Sequence, residues 1–160
     1  MKYFAYGSNM NRYSMQQRCP GATEIGKFYL EGFRLVFRSH ADIIRMAGGA
    51  VHGALWNITS EHEAVLDHYE GYPYYYDKCY RDDVMFYRIR GDLVERPFEA
   101  PSASYLAEVL QGYHHFGLTQ EEFEASFGVG HFGVTHRDLE THLGFSMAEL
   151  ARRFSRAAGA

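Results

Sequence analysis

The sequence has few cysteines and no long apolar run. Only 2 of its 160 residues are cysteine. Cys19 and Cys79 lie far apart and form no CxxC pair, which argues against a zinc site. We expect two reduced thiols, although the sequence leaves a disulfide between them open. No apolar stretch approaches the length of a membrane span, so we expect no membrane partner.

Concentrated positive charge is also missing. The formal net charge is −4, and no run of Lys and Arg forms a basic patch. Such a chain does not attract phosphate backbones, so nucleic acid is not an expected partner. The N-terminus does not show the charged, apolar and small-residue regions of a secretory signal, and we therefore predict a cytoplasmic protein.

The composition that remains is typical of a globular protein rich in aromatic rings. Hydrophobic residues make up 46% and charged residues 22%, and there are 13 Tyr and 12 Phe. A chain of this length can bury most of its apolar surface in one core, so we expect a single domain over residues 1–160. Many of the rings must be half-buried.

The first half of the sequence has mainly strand patterns. We predict a strand over Lys2–Tyr6 and a helix over Met10–Cys19, ended by Pro20 and Gly21. Residues 23–39 suggest two strands that meet near Gly32, and residues 51–58 suggest another. The segment between them, residues 40–50, is predicted to be a loop.

A short helix follows, and then strand character resumes. The "SEHE" stretch is a capping box with Ser60 as N-cap and Glu63 at the third position. The helix should end at Tyr69, because Gly71 and Pro73 come next. The following stretch, "YYYDKCYRDDVMFYRIR", again predicts strands.

The second half has helical patterns. Ser102 is the expected N-cap of an amphipathic helix, and Thr119 with Glu122 and Ser146 with Glu149 form two more capping boxes. The helix after Ser102 buries one apolar face, which comprises Leu106, Val109, Leu110 and Tyr113. The order of strands and then helices predicts an α+β fold.

One candidate binding element follows the first strand. In "YFAYGSNM", Gly7 permits a close backbone approach, and the N–H groups around Ser8 and Asn9 can converge on one carboxylate or carbonyl oxygen. A helix that follows would strengthen such a site. The spacing does not match the nucleotide motifs GxxxxGK[ST] or GxGxxG. An ordinary turn in which Ser8 or Asn9 is an N-cap is the alternative.

Glu70 is the candidate for proton transfer. It follows the predicted end of a helix, where the dipole is negative, and its neighbours are tyrosines: Tyr69, Tyr72, Tyr74, Tyr75 and Tyr76. Both features raise the pKa of a carboxyl group toward neutrality, as general acid/base catalysis requires. The alternative is a solvated glutamate at a frayed helix end.

Three other patterns are weaker. The run "YPYYY" and Tyr105 can line a pocket, or they can be ordinary strand and helix residues. His131, His136 and His142 form no HExxH motif and lie beside no carboxylate at ligand spacing, so we predict no metal site. Cys19 or Ser8 with a histidine base stays open, although no GxSxG elbow supports it.

Taken together, the segments resemble the gamma-glutamyl cyclotransferase-like family, which includes the AIG2-like proteins and gamma-glutamylamine cyclotransferases. "YFAYGSNM" resembles its substrate loop, and "YLEGFRLVFRS" is similar to its second strand pair. "GGAVHGALWNIT" precedes "LDHYEGYPYYYDK", which resembles an LDxxEGxPxxY segment, and "PSASYLAEVLQGYHHFGL" resembles a PSxxY helix. The resemblance spans about residues 1–118, and residues 119–160 form a helical extension with no recognised motif.

The resemblance implies a small mixed β-barrel flanked by helices, with no cofactor. It makes Glu70 the catalytic acid/base and Tyr6, Gly7, Ser8 and Asn9 the loop that holds the glutamyl part of a small-molecule gamma-glutamyl substrate. Tyr76 and Tyr105 match tyrosines that line the pocket.

The implied reaction is attack of the substrate's own α-amine on its γ-carbonyl, with release of 5-oxoproline and an amine or amino acid. A non-catalytic module that binds small carboxylates is the alternative. The leaving group, the role of residues 119–160 and a possible homo-oligomer stay open.

Overall fold

The computed structural model describes residues 1–91 and 96–159. Within these residues there are five strands: β1 Lys2–Ala5, β2 Thr23–Arg38, β3 His40–Asn57, β4 Tyr76–Arg81 and β5 Val84–Ile89. They form one mixed sheet in the order β2-β3-β1-β5-β4. The short strand β1 is central, antiparallel to β3 on one side and parallel to β5 on the other.

Six α-helices accompany the sheet in the part of the chain that the structure describes, which confirms the predicted α+β class. They are α1 Arg12–Arg18, α2 Ser60–Glu70, α3 Ala103–His115, α4 Gln120–Phe127, α5 His136–Leu143 and α6 Met147–Ala158. The expected closure into a barrel is not observed: in the described part of the chain, β2 and β4 are the outer strands and do not pair with each other. The sheet is therefore open.

The long β2–β3 hairpin corrects two predictions. Thr23–Arg38 is one strand, not two, and residues 40–50 belong to strand β3 instead of a loop. The register shifts between Glu31 and Phe33, because Gly32 adopts a φ of 85° opposite an irregular stretch that contains Gly48. These glycines form a bulge within continuous strands, and glycine in a strand often marks a bulge. The hairpin turns at Ser39, whose φ is 67°.

The helix starts match the sequence signals closely, with four differences. Thr59, one residue before the predicted Ser60, caps α2 in a capping box with His62. Ser102, Thr119 and Ser146 cap α3, α4 and α6 as predicted. The capping box expected of Ser146 and Glu149 is not formed, because the Glu149 carboxylate pairs with Arg152 and Arg153. Helix α5, capped by Thr135, was not predicted. Helix α1 is capped by Asn11 and is shorter than the predicted Met10–Cys19.

One hydrophobic cluster joins the sheet to helices from both parts of the chain. It contains Phe4 and Trp56 from the strands, Tyr113 from α3, and Phe123 and Leu150 from the C-terminal helices. The apolar face predicted for α3 is buried. Cys19 and Cys79 are both free thiols. Within the described residues, no helix combines the length and apolar character needed to cross a membrane.

Candidate active site

A cleft of about 320 Å³ lies beside the end of β1 and the end of α2. Its other walls come from the turn of the β2–β3 hairpin, the start of β4 and the first turn of α3. All seven predicted site residues line this cleft, although 99 positions separate the first from the last: Tyr6, Gly7, Ser8, Asn9, Glu70, Tyr76 and Tyr105.

The loop after β1 is a 3₁₀ turn formed by Ser8–Met10. Neither Ser8 nor Asn9 caps helix α1, since the side chain of Asn11 accepts from the first N–H groups of that helix. The N-cap alternative is therefore wrong. The N–H groups of Met10 and Asn11 close the turn onto the carbonyls of Gly7 and Ser8, at 3.1 and 2.9 Å. The first N–H groups of a helical turn have no partner inside the turn. In this turn, these N–H groups belong to residues that line the cleft.

The φ of Gly7 is −122°, which any residue can adopt, so this value does not require glycine. Close packing around position 7 does. A Cβ at this position would lie 2.9 Å from the Tyr105 hydroxyl oxygen and 3.1 Å from the Cβ of Ala41. Glycine therefore allows the turn, the β2–β3 hairpin and helix α3 to meet at one point.

Glu70 is the last residue of α2, which ends at Gly71 with a φ of 70°. The carboxyl group extends toward the 3₁₀ turn, where Asn9 Nδ2 donates to Glu70 Oε1 at 3.3 Å. Burial raises the pKa of Glu70 from 4.5 to about 7, and the charge of Arg18 acts in the opposite direction. A carboxyl group of this kind can accept and release a proton near neutral pH.

Asn9 has its side-chain amide orientation set by three partners. Its Nδ2 also donates to the Tyr3 hydroxyl at 2.9 Å, and its Oδ1 accepts from Arg18 at 2.6 Å. The indole of Trp56 donates to its backbone carbonyl at 3.0 Å. Because Arg18 can only donate, the Oδ1 atom of Asn9 must face it, and the Nδ2 atom must face Glu70.

Arg18, on helix α1, links this turn to helix α2. Its guanidinium donates to Ser8 Oγ at 3.3 Å and lies 3.9 Å from the centroid of the Tyr69 ring. The hydroxyls of Ser8 and Tyr69 are 3.2 Å apart. On the far side, Arg18 is 3.7 Å from the carboxylate of Glu108. Sequence patterns had not marked Arg18, because no motif relates it to Asn9 nine residues earlier.

Tyr76 and Tyr105 both bond to the backbone of Ala41. The Tyr76 hydroxyl donates to the Ala41 carbonyl at 3.0 Å, and the Ala41 N–H donates to the Tyr105 hydroxyl at 3.1 Å. Tyr105 therefore keeps its own proton for another acceptor, whereas Tyr76 uses its proton within the protein. The Tyr6 hydroxyl donates to the Tyr87 carbonyl at 2.6 Å and is likewise engaged.

The other aromatic predictions divide by position. From the run "YPYYY", Tyr75 and Tyr76 line the cleft. Tyr72 and Tyr74 are 39% and 75% exposed. The buried tyrosines around Glu70 include Tyr3 and Tyr87, which also line the cleft and which sequence patterns had not selected. Alternation along β1 and β5 identifies inward residues, but it does not show that they border a cleft.

A buried ion pair supports the hairpin side of the cleft. Arg38 Nε lies 3.2 Å from Asp42 Oδ2, and the two residues are 6% and 1% exposed. Asp42 Oδ1 also accepts from the Ile89 N–H at 2.9 Å, which joins the hairpin to β5. Sequence patterns do not indicate this pair, because they predict a loop over residues 40–50.

Alternative chemistry finds little support in the described residues. Ser8 contacts Tyr69 and Arg18 rather than a histidine, and Cys19 Sγ faces the carbonyl of His62 at 3.8 Å rather than its ring. Over residues 1–91 and 96–159, no three His, Cys, Asp or Glu side chains are grouped so that they could hold a metal ion.

Comparison with known structures identifies the same fold elsewhere. A gamma-glutamyl cyclotransferase is 21% identical, with a TM-score of 0.62 over 89% of this chain and 97% of its own. The uncharacterized protein loc79017 from Homo sapiens is 21% identical, with a TM-score of 0.62 over 96% and 97%. YkqA from Bacillus subtilis is 20% identical, with a TM-score of 0.64 over 90% of this chain and 54% of its own. At this identity the likeness establishes the fold alone.

A sequence family provides the stronger relationship. A comparison with curated protein sequences gave no match. The model of the family described as "Gamma-glutamyl cyclotransferase, AIG2-like" matches residues 3–93. That range includes the 3₁₀ turn, Glu70 and Tyr76, and it leaves out Tyr105. Since the match covers more than half of the chain, this protein belongs to the gamma-glutamyl cyclotransferase, AIG2-like family.

Proposed function

We propose that the protein is an enzyme that releases 5-oxoproline from a gamma-glutamyl amine, amide or dipeptide. The observation that carries the proposal is the position of Glu70. Its carboxyl group has a pKa of about 7 and lies in one cleft with the 3₁₀ turn, 3.3 Å from Asn9 Nδ2. Family membership supports this kind of reaction.

The proposed reaction requires proton transfer but no nucleophile from the protein. The α-amine nitrogen of the substrate attacks the γ-carbonyl carbon and forms the C–N bond of a five-membered lactam. The bond from that carbon to the leaving nitrogen breaks. Glu70 takes a proton from the attacking nitrogen and delivers one to the leaving nitrogen, so the carboxylate is regenerated. This accounts for a cleft that contains a carboxyl group of near-neutral pKa.

The 3₁₀ turn is proposed to hold the glutamyl end. The N–H groups of residues 7–9 can bind the α-carboxylate or the developing oxyanion, and the Tyr105 hydroxyl can donate its proton to the same ligand. Because nucleophile and electrophile belong to one molecule, holding the glutamyl chain bent can supply several of the roughly 7–11 kcal/mol available from intramolecularity.

The direct test is a panel of gamma-glutamyl compounds. Wild-type protein is incubated with gamma-glutamyl amines, amides, amino acids and peptides, and 5-oxoproline and the released amine are quantified by mass spectrometry. We expect the two products in a 1:1 ratio from at least one class. Tight binding with no lactam from any compound would instead indicate a module that binds small carboxylates.

The pH profile should reveal the effect of the Arg18 charge on Glu70. If Glu70 must be ionised to accept the first proton, activity rises as pH increases through its pKa. Arg18 lowers that pKa, so Arg18→Gln should raise it and move the acid limb of kcat/KM to higher pH by roughly one pH unit. Arg18→Lys keeps the positive charge, so the acid limb of its kcat/KM profile should lie close to the wild-type pH.

The matched control is Arg12→Gln, because Arg12 lies on the same helix and pairs with the exposed Glu24 outside the cleft. Its acid limb should coincide with that of wild type. A profile for Arg18→Gln that is lower at every pH but unshifted would contradict the electrostatic role and leave only a structural one.

A further inference from the structure

The wall of the cleft at the hairpin turn carries a cationic side chain that the proposed reaction does not use. Arg38, Ser39, His40 and Ala41 line this wall together with Arg96, from the segment after β5. The segment is attached to the hairpin by backbone hydrogen bonds: Ser39 N–H donates to the Glu99 carbonyl at 2.9 Å, and Glu99 N–H donates to the Phe37 carbonyl at 3.0 Å.

The backbone at Arg96 is held by the buried ion pair. The guanidinium of Arg38 donates to the Arg96 carbonyl while its Nε pairs with Asp42. This attachment uses the main chain of residue 96, and Arg96 is an exposed residue at the border of the cleft. A substitution of the Arg96 side chain therefore keeps the hydrogen bond that anchors the segment.

Among the residues that the structure describes, the charges of this wall do not cancel. Asp42 compensates Arg38. Within the described residues, no carboxylate forms an ion pair with Arg96. Arg96 and Tyr76 both line the cleft, and the Arg96 guanidinium acts to lower the pKa of the Tyr76 hydroxyl, against the larger opposite effect of burial. His40 lies in the same wall, where its ring centroid is 4.8 Å from that of Tyr105.

A partner for this wall follows from the substrate class. Gamma-glutamyl compounds share the glutamyl end, which the 3₁₀ turn and Glu70 are proposed to hold, and they differ in the leaving group. Leaving amines without an acid offer nothing to a guanidinium, whereas amino acids and peptides carry a carboxylate. An Arg–carboxylate contact is among the stronger polar interactions and can form two parallel hydrogen bonds.

We propose that Arg96 binds a carboxylate of the leaving group, so that the enzyme prefers gamma-glutamyl amino acids or peptides to gamma-glutamyl amines. This inference rests on the proposed function, because it presumes that the glutamyl end occupies the 3₁₀ turn. The inference narrows the substrate class to compounds that have one carboxylate in the glutamyl part and another in the leaving group.

The test compares substrates that differ only in that acid. Gamma-glutamyl-alanine and gamma-glutamyl-alaninamide have leaving groups of the same size, and gamma-glutamyl-ethylamide has a smaller one. Only the first has a leaving-group carboxylate. We expect wild-type kcat/KM to favour gamma-glutamyl-alanine by about 10–100-fold, as one charge-assisted contact allows. Arg96→Gln should reduce that preference to within about twofold. Arg137→Gln, an exposed position on α5 outside the cleft, should leave it intact.

Further arms separate the possible results. Gamma-glutamyl-alanyl-glycine, whose leaving group is a dipeptide, distinguishes a peptide from an amino acid as the preferred leaving group. The substrate whose kcat/KM falls more in Arg96→Gln is the one whose carboxylate lies at Arg96. Equal wild-type turnover of the acid and its amide overturns the inference. So does an equal loss on all substrates in Arg96→Gln, which would place the glutamyl α-carboxylate at Arg96.

Calorimetric binding of gamma-glutamyl-alanine and its amide to wild type and Arg96→Gln gives a readout without catalysis. If no compound yields 5-oxoproline, the proposed function fails, and the binding preference alone then supports or overturns the role of Arg96.

Discussion

Glu70→Gln is expected to lower kcat for 5-oxoproline release by about 10²–10⁴-fold, the usual contribution of a general acid/base. Glutamine has nearly the same shape and can still accept from Asn9 Nδ2 through its amide oxygen. It cannot carry a proton between the attacking and leaving nitrogens. The measurement is steady-state 5-oxoproline formation on the best substrate from the panel.

Two controls separate chemistry from folding. Glu61→Gln removes an exposed carboxylate from the first turn of the same helix and should leave kcat unchanged. The folded state of Glu70→Gln should be at least as stable as that of wild type at pH 8. The pKa of Glu70 is raised on folding from 4.5 to about 7. Ionising it therefore costs stability increasingly above pH 4.5 and fully above pH 7.

Glutamine removes this cost, which is on the order of 1–3 kcal/mol in the free energy of unfolding at pH 8. The gain should vanish below about pH 4.5, where the carboxyl group is protonated in both states. Equal 5-oxoproline production by Glu70→Gln and wild type would remove Glu70 from the mechanism.

The largest effect on stability is expected from Asp42→Ala, which should reduce the free energy of unfolding by about 3–5 kcal/mol. The substitution leaves the 6% exposed Arg38 without its counter-charge and deprives the Ile89 N–H of its acceptor. The measurement is urea unfolding, in which the midpoint should fall while the slope m stays constant. If Asp42→Ala does not fold, Asp42→Asn retains the shape and allows the comparison at a smaller effect.

Matched variants show whether burial is the reason. Lys2 and Asp83 form an ion pair at 3.0 Å, but their side chains are 46% and 70% exposed, so Asp83→Ala should lower the free energy of unfolding far less than Asp42→Ala does. Adding Arg38→Met to Asp42→Ala should recover much of the lost stability, because it removes the unpaired charge. Equal costs for Asp42→Ala and Asp83→Ala would contradict this account.

The local elements were largely predictable because their signals are short in range. Caps at Ser102, Thr119 and Ser146 lie within three residues of the N–H groups that they bind. Sequence signals predict helix α2 to within one residue at each end. Its cap was assigned to Ser60 instead of Thr59 because adjacent residues can both cap, and His62 completes the capping box with its ring nitrogen.

The errors in the sheet arose from glycine and from a turn without glycine. Gly32 and Gly48 resemble chain breaks in sequence, but they form a bulge inside strands that remain paired from Thr23 to Arg38 and from His40 to Asn57. The actual turn is at Ser39, a residue that seldom adopts a positive φ. Whether the sheet closes depends on how its outer strands approach one another, and no local pattern contains that information.

The sequence by itself determined the α+β class, most helix starts and the seven residues that were expected in one site, because caps, periodicity and family motifs are properties of neighbouring residues. The tertiary structure alone decided what surrounds Glu70. Asn9 reaches it across 61 positions, Arg18 acts on it from another helix, and burial sets its pKa near 7. Only the fold brings these groups together, because burial and electrostatic interactions depend on distances in space that the sequence order does not record.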